Sequence, residues 1–408
     1  MKNIFYLVIL FASIIAQPLN AQYKSPLEIF TKKERGIDIV QKDSLFSLQF
    51  QFRMQNRAAY QSVSDSDFTP ETFEFRTRRV RLKLRGFVYD PRLTYYLQLS
   101  FSRGDMDWDG PQNSTVNSSP NVVRDAMIFY QASKHMKLGF GQTKLPGNRQ
   151  RVISSGDQQF IDRSIVNATF TIDRDFGFFA TYDRQYFQLK GAVTSGEGRN
   201  SNKSNKGLSY TGRAEILPLG KFTGENDYVE GDLAREPKPK LSLGATYNYN
   251  SKAMRQGGQL GNDLYAPAEI QNLHLDLLFK YRGFAFYNEY CQRISSNPVT
   301  QSAINPADLR LTYVGFGNLT QVSYLFKNNY EIALRYAMIT PLKSVYDNPL
   351  YTAVREARQE HIHLGVTKYL YGHRVKVQGN LTYQTTQNLK AVTSLSQFGA
   401  IFQIELGI

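Results

Sequence analysis

The stretch RTRRVRLKLRGFVYD, residues 76 to 90, alternates charge and apolarity at every second position. Arg79, Arg81, Lys83 and Arg85 fall on one side, and Val80, Leu82 and Leu84 on the other. A period of two belongs to an extended strand, whose successive side chains point to opposite faces. If the cations faced lipid, each would cost ~2–4 kcal/mol near the midplane, and the row on the order of 10 kcal/mol. That is comparable to the stability of a whole domain. The strand therefore needs an apolar environment on one face and an aqueous one on the other.

The same period recurs along the chain. In SLFSLQFQFRMQNRAAY, Phe46, Leu48, Phe50, Phe52 and Met54 oppose Ser47, Gln49, Gln51, Arg53, Gln55 and Arg57. QNLHLDLLFK sets Leu273, Leu275, Leu277 and Phe279 against His274, Asp276 and Lys280. HRVKVQGNLTYQ sets Val375, Val377, Leu381 and Tyr383 against Arg374, Lys376, Gln378 and Asn380. The chain closes with Phe398, Ala400, Phe402, Ile404, Leu406 and Ile408 at alternate positions. Long Ser/Asn/Gly-rich connections alternate with tight turns such as DPR, SKH, DRQ and YGH. Long loops at one end and short turns at the other are the pattern of a transmembrane antiparallel β-barrel, here of about 16 strands. One connection breaks the rule: residues 218–240, PLGKFTGENDYVEGDLAREPKPK, are long where a short turn is due.

The N-terminus points to export. Lys2, an apolar run from Ile4 to Ile15 and the small-residue site Leu19-Asn20-Ala21 read as a signal peptide over 1–21, cleaved before Gln22. The apolar run is too short for a spanning helix, which needs ~20 residues. Residues 22–43 are expected to form an N-terminal periplasmic segment, and 44–408 the barrel. The net charge of +14 would suit nucleic acid, anionic surfaces or small anions, and export removes the first. The single cysteine, Cys291, offers no disulfide framework. A mean hydropathy of −0.42 fits strands that hide their apolarity by alternation.

The run FEFRTRRVRLKLRGFVYD, followed by RDAMIFYQ, LGFGQTKLPGNRQRVISSGDQQFIDRS and DRDFGFFATYD, resembles the phosphate-selective porin family (O and P type), particularly its Bacteroidetes-like members. The Arg-Arg-x-Arg strand and the Gly-Gln-x-Lys-x-Pro segment carry most of the resemblance. It implies an outer-membrane barrel of about 16 strands, usually a homotrimer, with a third loop folded into the lumen. It also implies anion preference, with phosphate or polyphosphate preferred by some members. The family's basic strand falls on Arg79, Arg81, Lys83 and Arg85. Its inward loop runs from about Pro146 to Phe170 and holds Arg149, Arg151, Asp157, Asp162 and Arg163. This chain ends in Ile408, where such barrels usually carry an aromatic residue.

The residues themselves also mark this loop. Val152, Ile153, Phe160, Ile161, Ile165 and Val166 are apolar, unlike the other long loops, and a loop with apolar anchors packs against something. The barrel interior is the nearest surface; a cover over the mouth, or packing at a subunit interface, is the alternative. By parity Arg53, Arg57, Arg374 and Lys376 join the basic row as lumen neighbours, while Asp276, Glu331 and Glu405 dilute its field. The row either selects anions or pairs with loop carboxylates to shape a constriction, and the two roles are compatible.

His361 and His363 in EHIHLG would face the lumen together, as polar lining or as half of a metal site. SSGDQQF and TSGEG do not fit a nucleophile elbow, and no phosphate-cradling glycine loop occurs. The expectation is a porin without enzymatic activity or cofactor, passing small phosphate-like anions through an outer membrane. A general, weakly selective nutrient porin and a barrel whose outer loops bind a partner or surface are the competing readings.

Overall fold

The computed structural model describes residues 27–32, 36–41, 45–102, 121–201, 207–348, 357–389 and 392–408. The signal peptide expected at 1–21 lies outside them, as does the long loop at 103–120. A hairpin of β1 (Leu27–Lys32) and β2 (Gly36–Gln41) precedes the barrel. The barrel's first half is β3 (Ser47–Ser62), β4 (Pro70–Val88), β5 (Asp90–Ser100), β6 (Val123–Gln131), β7 (Met136–Lys144), β8 (Arg174–Asp183), β9 (Phe187–Thr194) and β10 (Ser209–Ile216). The second half is β11 (Lys240–Arg255), β12 (Asp263–Tyr281), β13 (Phe284–Ser295), β16 (Gly315–Leu325), β17 (Tyr330–Pro341), β18 (Arg358–Tyr371), β19 (Val375–Asn388) and β20 (Thr393–Gly407). A small separate hairpin, β14 (Val299–Gln301) with β15 (Leu309–Leu311), rides on the connection between β13 and β16.

Each barrel strand pairs antiparallel with the next, and β20 returns to β3 from Gly399↔Gln61 to Gly407↔Arg53. Sixteen strands thus close on themselves. Closure leaves no row of unpaired backbone groups, the condition for standing in lipid. Below the end of β20, β2 takes over the same edge of β3, from Ile37↔Phe50 to Val40↔Ser47. The residues expected as a periplasmic segment therefore extend the sheet at the short-turn end.

Alternation sorts the side chains inside out relative to a water-soluble protein. On β20, Phe402, Ile404 and Leu406 are exposed on the outer wall, whereas Gln403 and Glu405 are buried at 1% and 0%. Among the described residues no helix is long and apolar enough to cross a membrane, which leaves crossing by strands untouched.

Two connections fill the lumen. The third loop, 145–173, enters from the long-loop end with short helices at Arg149–Val152 and Ile165–Phe170. The second helix starts on Ser164, whose side chain accepts from the Asn167 amide. Its Val166 and Phe170 are fully buried against Leu278, Tyr287, Cys291, Leu319, Ala337 and Ile339 of the inner wall. Apolar residues at inward parity on β12, β13, β16 and β17 thus form a dry patch that holds the loop. The loop's alternative places, over the mouth or between subunits, are not the ones it takes.

The connection 217–239 enters from the short-turn end, which accounts for its length. Leu217 and Phe222 join the same apolar cluster. The two segments meet where the Glu230 amide donates to the Asp157 carbonyl at 2.8 Å, and Glu230 accepts from the Gln159 amide at 3.1 Å.

Candidate functional site

The basic strand is β4, and its register carries a break. Gln49↔Arg85, Gln51↔Lys83, Arg53↔Arg81 and Gln55↔Arg79 pair in step with β3; the next pairs are Asn56↔Thr77 and Arg57↔Arg76. Arg78 is the extra residue of a β-bulge, and beyond it the faces exchange. Phe73 and Phe75 are 65% and 72% exposed on the outer wall, so Glu74 and Arg76 turn inward. The expected row of Arg79, Arg81, Lys83 and Arg85 is therefore prolonged by Arg76 and Arg78, along roughly 30 Å of strand. Sequence reading missed these two, although the signal was present: the apolar positions change from odd (Phe73, Phe75) to even (Val80, Leu82, Leu84), and two arginines stand side by side at the change.

The third loop lays Ser154, Ser155 and Gly156 as a ledge against this wall. Arg53 donates to Ser155 Oγ at 2.8 Å and to Ser154 Oγ at 3.3 Å, and Arg81 donates to Ser155 Oγ at 3.0 Å. Above the ledge, Asp162 accepts from Arg57 at 2.6 Å and lies 3.9 Å from both Arg78 and Arg79. Glu74 also pairs with Arg57, at 3.1 Å, and with Arg76. Below it, Arg53, Arg81, Lys83, Arg85 and Arg374 line a cavity of about 250 Å³ together with Asp157 and Glu405.

A second group of cations faces this wall from β6, β7, β8 and the loop. Arg174 grips Asp125 with two hydrogen bonds of 3.0 and 3.1 Å, and Arg151 pairs with Asp173. Arg163 and Lys144 end on carbonyls instead: Arg163 on Gln150 and Ile153, both at 2.8 Å, and Lys144 on Val152 at 2.9 Å. Burial and the neighbouring Arg151 and Arg79 push the Arg163 pKa down, which reflects how positive this corner is.

The opposite wall carries charge of both signs, consumed in closed pairs. Arg149 donates to Asp276 at 2.6 Å and to Glu215 at 2.9 Å, while Arg213 donates to the same carboxylates at 2.7 and 2.8 Å. Lys280 donates to the Asn226 and Val229 carbonyls of the 217–239 segment at 2.5 and 2.8 Å. Glu331 accepts from Tyr369 Oη at 2.5 Å. Such groups tolerate burial only because each finds partners.

Of the residues expected at the site, Arg53, Arg57, Arg79, Arg81, Lys83 and Arg85 come together on one wall with Asp157, Asp162 and Arg374. Arg151 and Arg163 stand beside them. Arg149 does not: the loop's first short helix carries it against the far wall, where it is buried at 0%. Lys376 faces inward as its parity requires, but its ammonium donates to the Gly156 and Gln158 carbonyls at 2.9 and 2.6 Å and lies 3.6 Å from Glu405. It clamps the loop and is not open wall. Parity could name the face, but not which inward cations another segment would cover. His361 and His363 also face inward, their rings 5.7 Å apart, with His363 Nδ1 2.9 Å from Thr382 Oγ1. Among the described residues no cluster of three metal-ligating side chains forms.

Comparison with solved structures returns outer-membrane barrels. OmpT of Vibrio cholerae, in its trimer form, is 11% identical, with 88% of this chain and 99% of that chain covered at a TM-score of 0.51. OprB of Pseudomonas putida is 10% identical, covering 88% and 94% at 0.53. OmpF of Salmonella typhi is 11% identical, covering 89% and 98% at 0.53. At these identities the likeness concerns the fold. No curated protein matches the sequence. The family model described as phosphate-selective porin O and P matches residues 50–260, over half of the chain and the whole of β4, and this protein belongs to that family of outer-membrane, non-enzymatic porin channels.

Proposed function

We propose that the protein is a passive, anion-preferring diffusion channel whose solutes are small phosphate-like anions. One observation carries this reading. The cations of β4 line the lumen beside the loop ledge and outnumber the carboxylates among them, while the charges of the far wall are spent in closed pairs. A water-filled passage between low-dielectric walls that carry mainly one sign of charge concentrates the opposite ion and lowers its barrier. Arg76, Arg78, Arg79, Arg81, Lys83 and Arg85 offer successive weak sites, between which an anion is handed on. A single tight site would hold the ion and stop the flow. The Ser154–Gly156 ledge sets the size limit.

The phosphate preference rests on convergence: Arg53, Arg81, Lys83, Arg85 and Ser154 all line one small cavity. Charge-assisted donors of this kind replace the hydration of a tetrahedral oxyanion. A general, weakly selective porin is the second reading, favoured by Asp157, Asp162, Glu74 and Glu405 standing among the cations.

The deciding measurement is the zero-current potential in a planar bilayer under a salt gradient, for the native protein and for Arg81→Gln with Lys83→Gln. Anion preference that collapses in the variant, with phosphate blocking chloride current, supports the proposal. Equal cation and anion permeability in both proteins overturns it in favour of the general porin. Assembly as a homotrimer belongs to the same reading, since OmpT is described in a trimer form; chemical crosslinking in detergent tests it. So does export by the 1–21 segment, which Edman sequencing of the mature protein would verify by starting at Gln22.

A further inference from the structure

A groove of about 690 Å³ lies at the short-turn rim, between the turns β6–β7 and β8–β9 and the start of the 217–239 segment. Lys134, Arg184, Lys221 and Lys240 line it, against one carboxylate, Asp183. Asp183 is paired with Lys221, whose side chain stays 49% exposed. Nothing in the lumen uses these residues.

Hydrogen bonds tie the groove's residues together. Arg184 donates from Nε to Tyr182 Oη at 2.8 Å and from Nη1 to His135 Nε2 at 3.1 Å. His135 in turn holds the Asp183 carbonyl through Nδ1 at 2.9 Å, which makes Nδ1 the protonated nitrogen. Lys240 donates to the Leu219 carbonyl at 3.0 Å. These bonds fix where the cations stand while leaving the bowl between them open.

Its lip is apolar. Tyr182 shares the outward parity of Phe176 and Phe178, and its ring lies 5.4 Å beneath the Arg184 guanidinium. Tyr186 and Leu219 flank the bowl at 55% and 49% exposure, and outward-facing Phe187 continues toward the membrane band. A basic bowl joined to an aromatic edge at the depth of the barrel's girdle meets two chemistries at once, a phosphate and the start of an acyl chain. A soluble anion would use only the first.

We propose that this groove binds the phosphodiester headgroup of an anionic phospholipid in the membrane leaflet on the short-turn side. Arg184, Lys221 and Lys240 take the phosphate, and Tyr186 and Leu219 meet the glycerol and upper acyl chain.

The test is native mass spectrometry of the full chain in detergent, titrated with dioleoyl phosphatidylglycerol and, separately, dioleoyl phosphatidylcholine. The expected result is selective retention of phosphatidylglycerol, weakened roughly fivefold for each cation removed in Arg184→Gln, Lys221→Gln and Lys240→Gln. Asp183→Asn should tighten it, a gain that misfolding would not produce. Equal retention of the two lipids overturns the proposal, as does undiminished phosphatidylglycerol binding by the triple variant with its folded gel mobility intact. Full displacement of the lipid by millimolar inorganic phosphate would reassign the groove to a soluble anion. Binding of poly-L-glutamate without lipid selectivity would reassign it to an acidic protein.

Discussion

Gly156 shows how closely the ledge approaches the basic wall. A Cβ there would meet Arg53 Nη1 at 1.9 Å and Glu405 Oε1 at 2.8 Å. Both are ends of flexible side chains, so Gly156→Ala should leave thermal stability nearly unchanged while dislodging Arg53 from Ser155. Single-channel conductance should shift; the same conductance as the native protein would remove Arg53 from the path. Asp162 is the second informative residue. Burial alone would raise its carboxyl, but the facing Arg79, Arg57 and Arg78 outweigh burial and hold it below its ordinary value. A depressed folded value means the loop anchor is fully present above the unfolded carboxylate value, ~3.9, and is lost only as pH falls through the lower folded one. The native zero-current potential should therefore hold its anchor-dependent part from pH 7 down to about 4. Asp162→Asn should already be more anion-selective at pH 7 and should lack that acid step.

The bulge in β4 decides which face the upper part of that strand offers. Deleting Arg78 brings Thr77 next to Arg79, so the strand alternates without a bulge while Glu74 and Arg76 stay inward and Phe73 and Phe75 outward. Without the bulge the full-length strand would turn both charges to lipid, at a cost on the order of 1–4 kcal/mol each depending on depth. The deletion variant should therefore insert into vesicles with heat-modifiable gel mobility retained and one luminal cation fewer, and loss of that mobility would show that the strand needs the bulge itself. A second element, the 217–239 segment, gives its backbone to buried cations of the far wall. Replacing residues 219–238 with a short turn orphans Lys280 and removes the Asp227 carbonyl from Arg149, which bonds it at 2.9 Å. Each lost partner costs about 1–3 kcal/mol. The expected result is a lower melting temperature together with a several-fold higher conductance. A lower melting temperature at the native conductance would mean the segment braces the wall without narrowing the path.

Across the whole molecule the lumen is asymmetric, with an open basic side and a closed, paired side. Lys83→Cys should react quickly with a negatively charged methanethiosulfonate, and the adduct should cut the current. Lys280→Cys, deep on the paired side at 0% exposure, should not react on that timescale. The native Cys291 is fully buried and gives no background. Equal reactivity at both positions would mean that ions use the two sides alike.

Most of the barrel was legible from period-two alternation, because a strand between lipid and water cannot place a charge on the wrong face without a cost of several kcal/mol. Apolar anchors, unlike the residues of the other long loops, marked the inward loop, and excess length marked the 218–240 stretch. The bulge was legible only as a phase change between Phe75 and Val80, easily overlooked because a strict period assumes an unbroken strand. The fate of each inward charge was not legible. Arg149 and Arg81 are the same residue type and both face the lumen. Yet Arg149 is locked to Asp276, 127 positions away in sequence, while Arg81 meets a serine and lines a cavity. The faces of the wall follow from residue order alone, since solvent preference acts on each residue locally. Only the tertiary structure decided which cations remain facing open space, because that depends on where two long connections lie inside the barrel and which carboxylates they bring within reach.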